Sequence, residues 1–232
     1  MASRSVRCTF LDASVPDVEV SLPAAVLRPG GISSFAVVTF GRVDLELNDS
    51  HRDFLAEYFA TVGAREEDEI HLRSGRTVRL GRVGGRHGSG HCFAIEAGAR
   101  RLLGTSPPTV ALRTLASWLS DLHVTSTRNG LKINPTAGRM SAARPPHVVL
   151  VMVLRSGQRV LVDVRPAHRK TAATVGLAVA GGRLSRISPP DRAEYLTLDA
   201  WDHVVHVLPP TADDLDEVAD LGSRLIVRAL SA

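Results

Sequence analysis

The tetrapeptide Leu72-Arg-Ser-Gly75 returns 82 residues later as Leu154-Arg-Ser-Gly157, and a diverged copy of its surroundings returns with it. At that offset Val78 matches Val160, Arg101-Leu102 matches Arg183-Leu184, and Ser106-Pro-Pro108 matches Ser188-Pro-Pro190. Ten of 37 aligned positions are identical, where roughly two or three are expected from average residue usage. After one inserted residue, Thr114-Leu115, Trp118, His123 and Val124 fall on Thr197-Leu198, Trp201, His206 and Val207. The chain's 2 tryptophans thus take equivalent places.

Ser-Gly between two apolar or alternating runs reads as a hairpin turn. A second hairpin follows in each copy, over 92–103 and 174–187, then Pro-Pro and a helix. Proline suits a helix start because its missing N–H costs nothing there. Val110, Leu112, Leu115, Trp118, Leu119 and Leu122 form one stripe at helical spacing. Trp118 and Trp201 are therefore expected to pack a helix onto a sheet in both copies. A fainter third copy runs from Phe35-Ala-Val37 through Gly41 to a helix over about 49–62, capped by Asn48, Asp49 or Ser50. Asn129-Gly130 marks a further hairpin turn. Leu215, Val218, Leu221, Leu225 and Ile226 give an amphipathic helix at the C-terminal end.

The sequence thus predicts an α+β fold. It is built from internally duplicated β-hairpin/β-hairpin/helix units, two clear and a third faint, packed with pseudo-symmetry, plus a C-terminal amphipathic helix. The expected parts are 1–66 (N-terminal strands and helix, the degenerate third unit), 67–124 (first repeat) and 125–146 (basic linker and hairpin). Residues 147–208 form the second repeat and 209–232 the C-terminal helix.

Charge is segregated along this chain of 232 residues and net charge +4. Residues 1–70 hold 6 basic and 12 acidic side chains, 71–190 hold 19 and 3, and 191–232 hold 3 and 9. A basic middle implies either a surface for a polyanion, with nucleic acid the commonest case, or acidic ends folded over it. Only Phe93 and Trp118 are aromatic inside that middle, too few for a base-stacking platform, so phosphate contacts are the expected mode. Arg73, Arg76, Arg79, Arg82, Arg86, Arg155, Arg159, Arg165, Arg169 and Lys170 are the residues expected to carry it. Two cysteines make no disulfide framework. No apolar run approaches the length of a membrane helix, and the first residues lack a signal-like run. The expected place is the cytoplasm, or a virion or other assembly.

Gly84-Gly-Arg-His-Gly-Ser-Gly-His-Cys92 is the stretch most like a site. His87, His91 and Cys92 offer zinc two imidazoles and a thiolate. The same glycines beside Arg86 could instead form an anion nest, or merely a hairpin loop. His203 and His206 have metal-pair spacing, but the match of His206 to His123 favours a shared structural role near a helix end. Asp44 and Glu46 share a strand face, an arrangement that can hold Mg²⁺. No nucleophile elbow or nucleotide-binding glycine motif occurs, so no cofactor is expected and an enzyme is the least favoured class.

Phe93-Ala-Ile-Glu-Ala-Gly98, Ser126-Thr-Arg-Asn-Gly-Leu131 and Val160-Leu-Val-Asp163 resemble, in order, three motifs of primase-polymerase domains of the bacterial end-joining ligase type. In that resemblance Ala94 stands where the family has the first aspartate of its metal pair, Glu96 stands at the second, and Lys132 replaces the family's histidine. Asp163 alone survives, which implies no working polymerase. The expectation is a non-enzymatic protein binding a polyanion. The alternative is an assembly or adaptor protein (a phage or virion component, or a secretion-type chaperone of a GC-rich bacterium) acting through protein contacts.

Overall fold

The computed structural model describes residues 3–23, 27–51, 55–84, 90–134, 140–153, 157–167, 176–191, 193–209, 211 and 214–230; for 3, 22–23, 27–30 and 67 it describes the backbone alone. The chain is α+β and rich in antiparallel sheet, with three helices among the described residues. It divides into a central unit, 10–14 and 34–146, and a terminal unit, 1–9, 15–33 and 147–232.

The central unit is a sheet flanked by two helices. Its strands are β3 (Leu27–Phe40, from residue 34), β4 (Val43–His51), β5 (Ala64–His71), β6 (Thr77–Val83), β7 (Gly90–Ala97) and β8 (Arg100–Ser106). They pair antiparallel in the order β3-β4-β8-β7-β6-β5. Helix α2 (Leu112–Asp121) and a hairpin of β9 (Val124–Thr127) and β10 (Gly130–Ile133) contribute Leu115, Leu119, Leu131 and Ile133 to the main core. The short helix α1 (Leu55–Thr61) sets Leu55 and Phe59 against Cys92, Ala94 and Leu103 in a second cluster. Strand β7 belongs to both, with Phe93 and Ile95 in the main core and Cys92 and Ala94 in the smaller one. Its unbroken apolar run is what burial on two faces demands. Gly104 exists for the same reason, since a Cβ there would lie 2.4 Å from the Phe93 ring.

The first predicted turn is present. Gly75 takes φ +77° and donates its N–H to the Leu72 carbonyl at 2.9 Å, closing the β5–β6 hairpin. Gly157 takes φ +84°, while 154–156 lie outside the described residues. Helix α2 follows Pro107-Pro108 as expected, and Trp118 stacks on Phe40 at 5.1 Å with planes 10° apart.

The second of the two matched segments departs from the first. Where the repeat predicts a helix, the chain forms β15 (Tyr195–Ala200) and β16 (His203–Leu208). Trp201 sits in the turn between them with φ +57° and 79% exposure. The local sequence explains the change. Leu196, Leu198, Ala200, His203, Val205 and Val207 are buried and alternate with partly exposed neighbours, a period of two that only a strand can present on one face. The expectation of two equivalent hairpin/hairpin/helix units with matched tryptophans is therefore corrected. The faint third unit also differs: Asn48, Asp49 and Ser50 continue β4 and do not cap a helix.

The terminal unit orders its strands β11-β12-β16-β15-β14-β13, with β11 (Met140–Val153, from residue 147), β12 (Arg159–Pro166), β13 (Leu177–Val179) and β14 (Gly182–Ile187). A three-stranded sheet of β1 (Ser3–Cys8), β2 (Val18–Pro23) and β17 (Ile226–Ala229) completes it. The amphipathic helix α3 (Leu215–Arg224) ends earlier than its sequence stripe, because Ile226 belongs to β17. It lies against β15, β16 and β2 and buries Leu215, Val218 and Leu221. The inner sheet face is apolar and buried: Val148, Leu150 and Met152, then Val160, Val162 and Val164, then Val205 and Val207. No helix among the described residues is long and apolar enough to cross a membrane.

Candidate binding face

The side of the β14-β15-β16-β12-β11 sheet opposite that apolar face is organised in rows by strand register. One row is apolar. Val151 stands opposite Leu161, Leu161 opposite Leu208, and Tyr195 opposite Ile187. Tyr195 and Leu208 flank the Leu196–Val207 pair and so close the row. Leu161, Leu208 and Ile187 are 42%, 38% and 36% exposed. The next row is polar: Val149, Asp163, His206, Thr197 and Ser185 are successive register partners. A third row is charged, with Arg165 opposite Val204, Val204 opposite Asp199 and Asp199 opposite Arg183. His147 on β11 continues it, and Arg159 lies beyond the apolar row on β12.

Within the polar row, Asp163 is 7% exposed although it lies on the open face. Its Oδ2 accepts Nε and Nη2 of Arg165 at 2.8 and 2.6 Å. Nδ1 of His206 is 3.3 Å from Oγ1 of Thr197, and its ring meets Tyr195 edge-on with centroids 5.6 Å apart. Burial holds the His206 imidazole below its ordinary range, Arg165 pushing the same way and Asp163 opposing. His147 behaves alike: burial lowers it, Asp163 raises it and Arg165 lowers it.

The described arginines among those singled out in the sequence differ in their surroundings. Arg76 is a structural latch, donating Nη1 to the Leu122 carbonyl at 3.1 Å and Nη2 to the Val124 carbonyl at 2.5 Å. Arg79 pairs with Glu66 at 3.1 Å and Glu69 at 3.9 Å, both on the neighbouring acidic strand β5. Arg73 and Arg82 are exposed in the central unit, Arg159 and Arg165 in the terminal unit. Arg86, Arg155, Arg169, Lys170 and His87 lie outside the described residues.

Among the metal candidates, His91 and Cys92 are consecutive in β7 and point to opposite faces. Cys92 is fully buried, its Sγ 3.5 Å from the Gly81 carbonyl. His203 and His206 lie on opposite faces of a strand, His203 buried and His206 on the open side, which removes the helix-end reading. Among the described residues no group of three or more His, Cys, Asp and Glu side chains is placed to hold a metal. Asp44 and Glu46 line an open cleft of about 420 Å³ with Thr61, Val62, Thr105 and Ser106. In the motifs that resemble a primase-polymerase, Asp163 pairs with Arg165 and Glu96 with Arg101 at 3.0 Å.

No protein-family model matches this chain, and no curated protein or solved structure matches it.

The site therefore has to be read from its own chemistry. The open face joins an apolar strip to a compact set of hydrogen-bonding and titratable groups. Sequence reasoning missed it because the repeat assigned 195–208 to a helix. The alternation Tyr-Leu-Thr-Leu-Asp-Ala was the signal that would have found it.

Proposed function

We propose that the chain is a non-enzymatic docking protein whose terminal unit engages a partner protein through the open face of β14-β15-β16-β12-β11. The observation that carries this reading is the apolar row Val151, Leu161, Leu208, Tyr195 and Ile187, three of whose members keep a third or more of their surface in water. Solvent-facing sheet positions normally alternate to polar residues, and contiguous exposed apolar surface rimmed by polar groups marks interaction sites. The flanking Arg159, Arg165 and Arg183 outnumber Asp163 and Asp199 on the same face. The partner that fits is thus a protein segment with an apolar strip edged by acidic side chains. An assembly or adaptor role, in the cytoplasm or within a larger particle, follows from such a module.

The experiment compares affinity capture by wild type with capture by Leu161→Glu and Leu208→Glu, both designed to leave the inner core intact. A specific partner should be retained by wild type and lost from both variants while their thermal unfolding stays wild-type-like. A captured set unchanged by the charges overturns the proposal. A second reading, a polyanion such as nucleic acid, is favoured by the exposure of Arg73, Arg82 and Arg159. It predicts a raised 260/280 nm absorbance ratio in the purified protein and retention that falls steeply with salt.

A further inference from the structure

Asp163 has an unanswered oxygen. While Oδ2 holds Arg165, Oδ1 is buried and has no hydrogen-bond partner. A buried carboxylate oxygen without a donor is costly, more so for a charged group. Two imidazoles stand where they could supply the donor. His206 is the direct register partner of Asp163 on β16. His147 lies on the other neighbouring strand, two residues from Val149, the direct partner of Asp163 on β11. Both imidazoles feel the Asp163 charge.

From this arrangement we infer that His147, Asp163 and His206 form a single proton-binding site on the open sheet face, in which Oδ1 of Asp163 accepts a hydrogen bond from whichever imidazole is protonated. The surrounding charges decide how it titrates. Facing His206 are Asp163 and Arg165 from β12, and Tyr195, Thr197 and Asp199 from β15, with Arg183 beyond on β14. Facing His147 are Arg165 and Asp163, and β3 carries one ionisable residue, Arg28. His203 points to the inner side. With both imidazoles neutral, Arg165 and Asp163 cancel. The first proton gains the vacant oxygen. The second finds Oδ1 of Asp163 already taken and meets both an imidazolium and Arg165. The protons therefore add in two coupled steps that belong to the cluster and to neither histidine alone. Mild acid turns a neutral patch into a cationic one.

This inference concerns the chain by itself and stands or falls separately from the docking reading. The test is a pH titration of the histidine ring resonances in the full chain by NMR, assigned with His147→Gln and His206→Gln. Removing Asp163 with Asp163→Asn should lower the remaining midpoints by about one pH unit, the scale of an adjacent opposite charge. Arg165→Gln should move them the other way, and it keeps the test decisive if Asp163→Asn fails to fold. His147→Gln should raise the His206 midpoint, a change two independent histidines would not show. Midpoints for His206 that stay within experimental error in His147→Gln and in the charge variants overturn the inference.

Discussion

Replacing Asp49 isolates what ties the β9–β10 hairpin to the central sheet. Its side chain is 2% exposed. Oδ1 accepts Nε of Arg100 at 2.5 Å, and Oδ2 accepts the backbone N–H of Leu131 at 2.9 Å. One carboxylate thus joins β4, β8 and β10. Asp49→Ala strands the N–H of fully buried Leu131, at about 1–3 kcal/mol, and leaves Arg100, 21% exposed, without its counter-ion. Removing one member of such a pair typically costs about 3–5 kcal/mol, and that is the loss expected by urea denaturation at pH 7. Asp49→Asn should behave differently. Burial raises the Asp49 carboxyl above its ordinary range even though Arg100 and the Leu131 N–H pull it down, so the negative charge itself is not favoured there. Asn keeps one acceptor oxygen, enough for the Leu131 N–H, while its amide nitrogen meets the partly exposed Arg100, so the loss should be smaller than for Asp49→Ala, about 1–3 kcal/mol. Equal damage from both variants would refute this, because charge would then outweigh hydrogen bonding. A loss below about 1 kcal/mol for Asp49→Ala would refute the tie altogether.

Gly104→Ala should destabilise by about 1–3 kcal/mol in the same assay, since its Cβ would meet Phe93 at 2.4 Å and the Glu46 carbonyl at 2.9 Å. Trp201→Gly should leave stability unchanged or raise it by up to about 1 kcal/mol, because the indole is 79% exposed and φ is +57°. Cys8 and Cys92 are buried thiols that form no disulfide, and burial with nearby Asp17 pushes the Cys8 thiol up to about 12; neither should react with a thiol reagent at pH 8 until the protein unfolds. Burial lowers the imidazoles of His147, His203 and His206 from 6.5, so the unfolded chain binds their protons more readily. Their contribution to stability is complete above pH 6.5 and is lost as pH falls toward the depressed folded values. Urea midpoints should drop between pH 7.5 and 5, and a flat profile would count against these burials.

The parts of the fold legible in the sequence are those fixed by local chemistry. Gly75 and Gly157 had to turn the chain, Pro107-Pro108 had to precede a helix, and Asn129-Gly130 had to close a hairpin. Sequence identity between copies was a poorer guide than period. The match of Trp118 to Trp201 suggested a second helix, while the alternation from Tyr195 to Leu208 specified strands. The open sheet face was hidden for a different reason. Its rows assemble residues from five strands, and Asp163 meets His206 only through a register that no local pattern reveals. The opposite sign of blocks along the chain was legible, but its meaning was not, because pairing of Arg79 with Glu66 and Glu69 depends on β5 lying beside β6.

The contrast between the two tryptophans has a spectroscopic use. Trp118 is half-buried against Phe40 in the central unit, and Trp201 projects into solvent in the terminal unit. Iodide should quench the red-edge emission from Trp201 and largely spare Trp118. Each unit thus carries its own intrinsic fluorophore, and single-tryptophan variants can follow the melting of either one in the intact chain without any added dye.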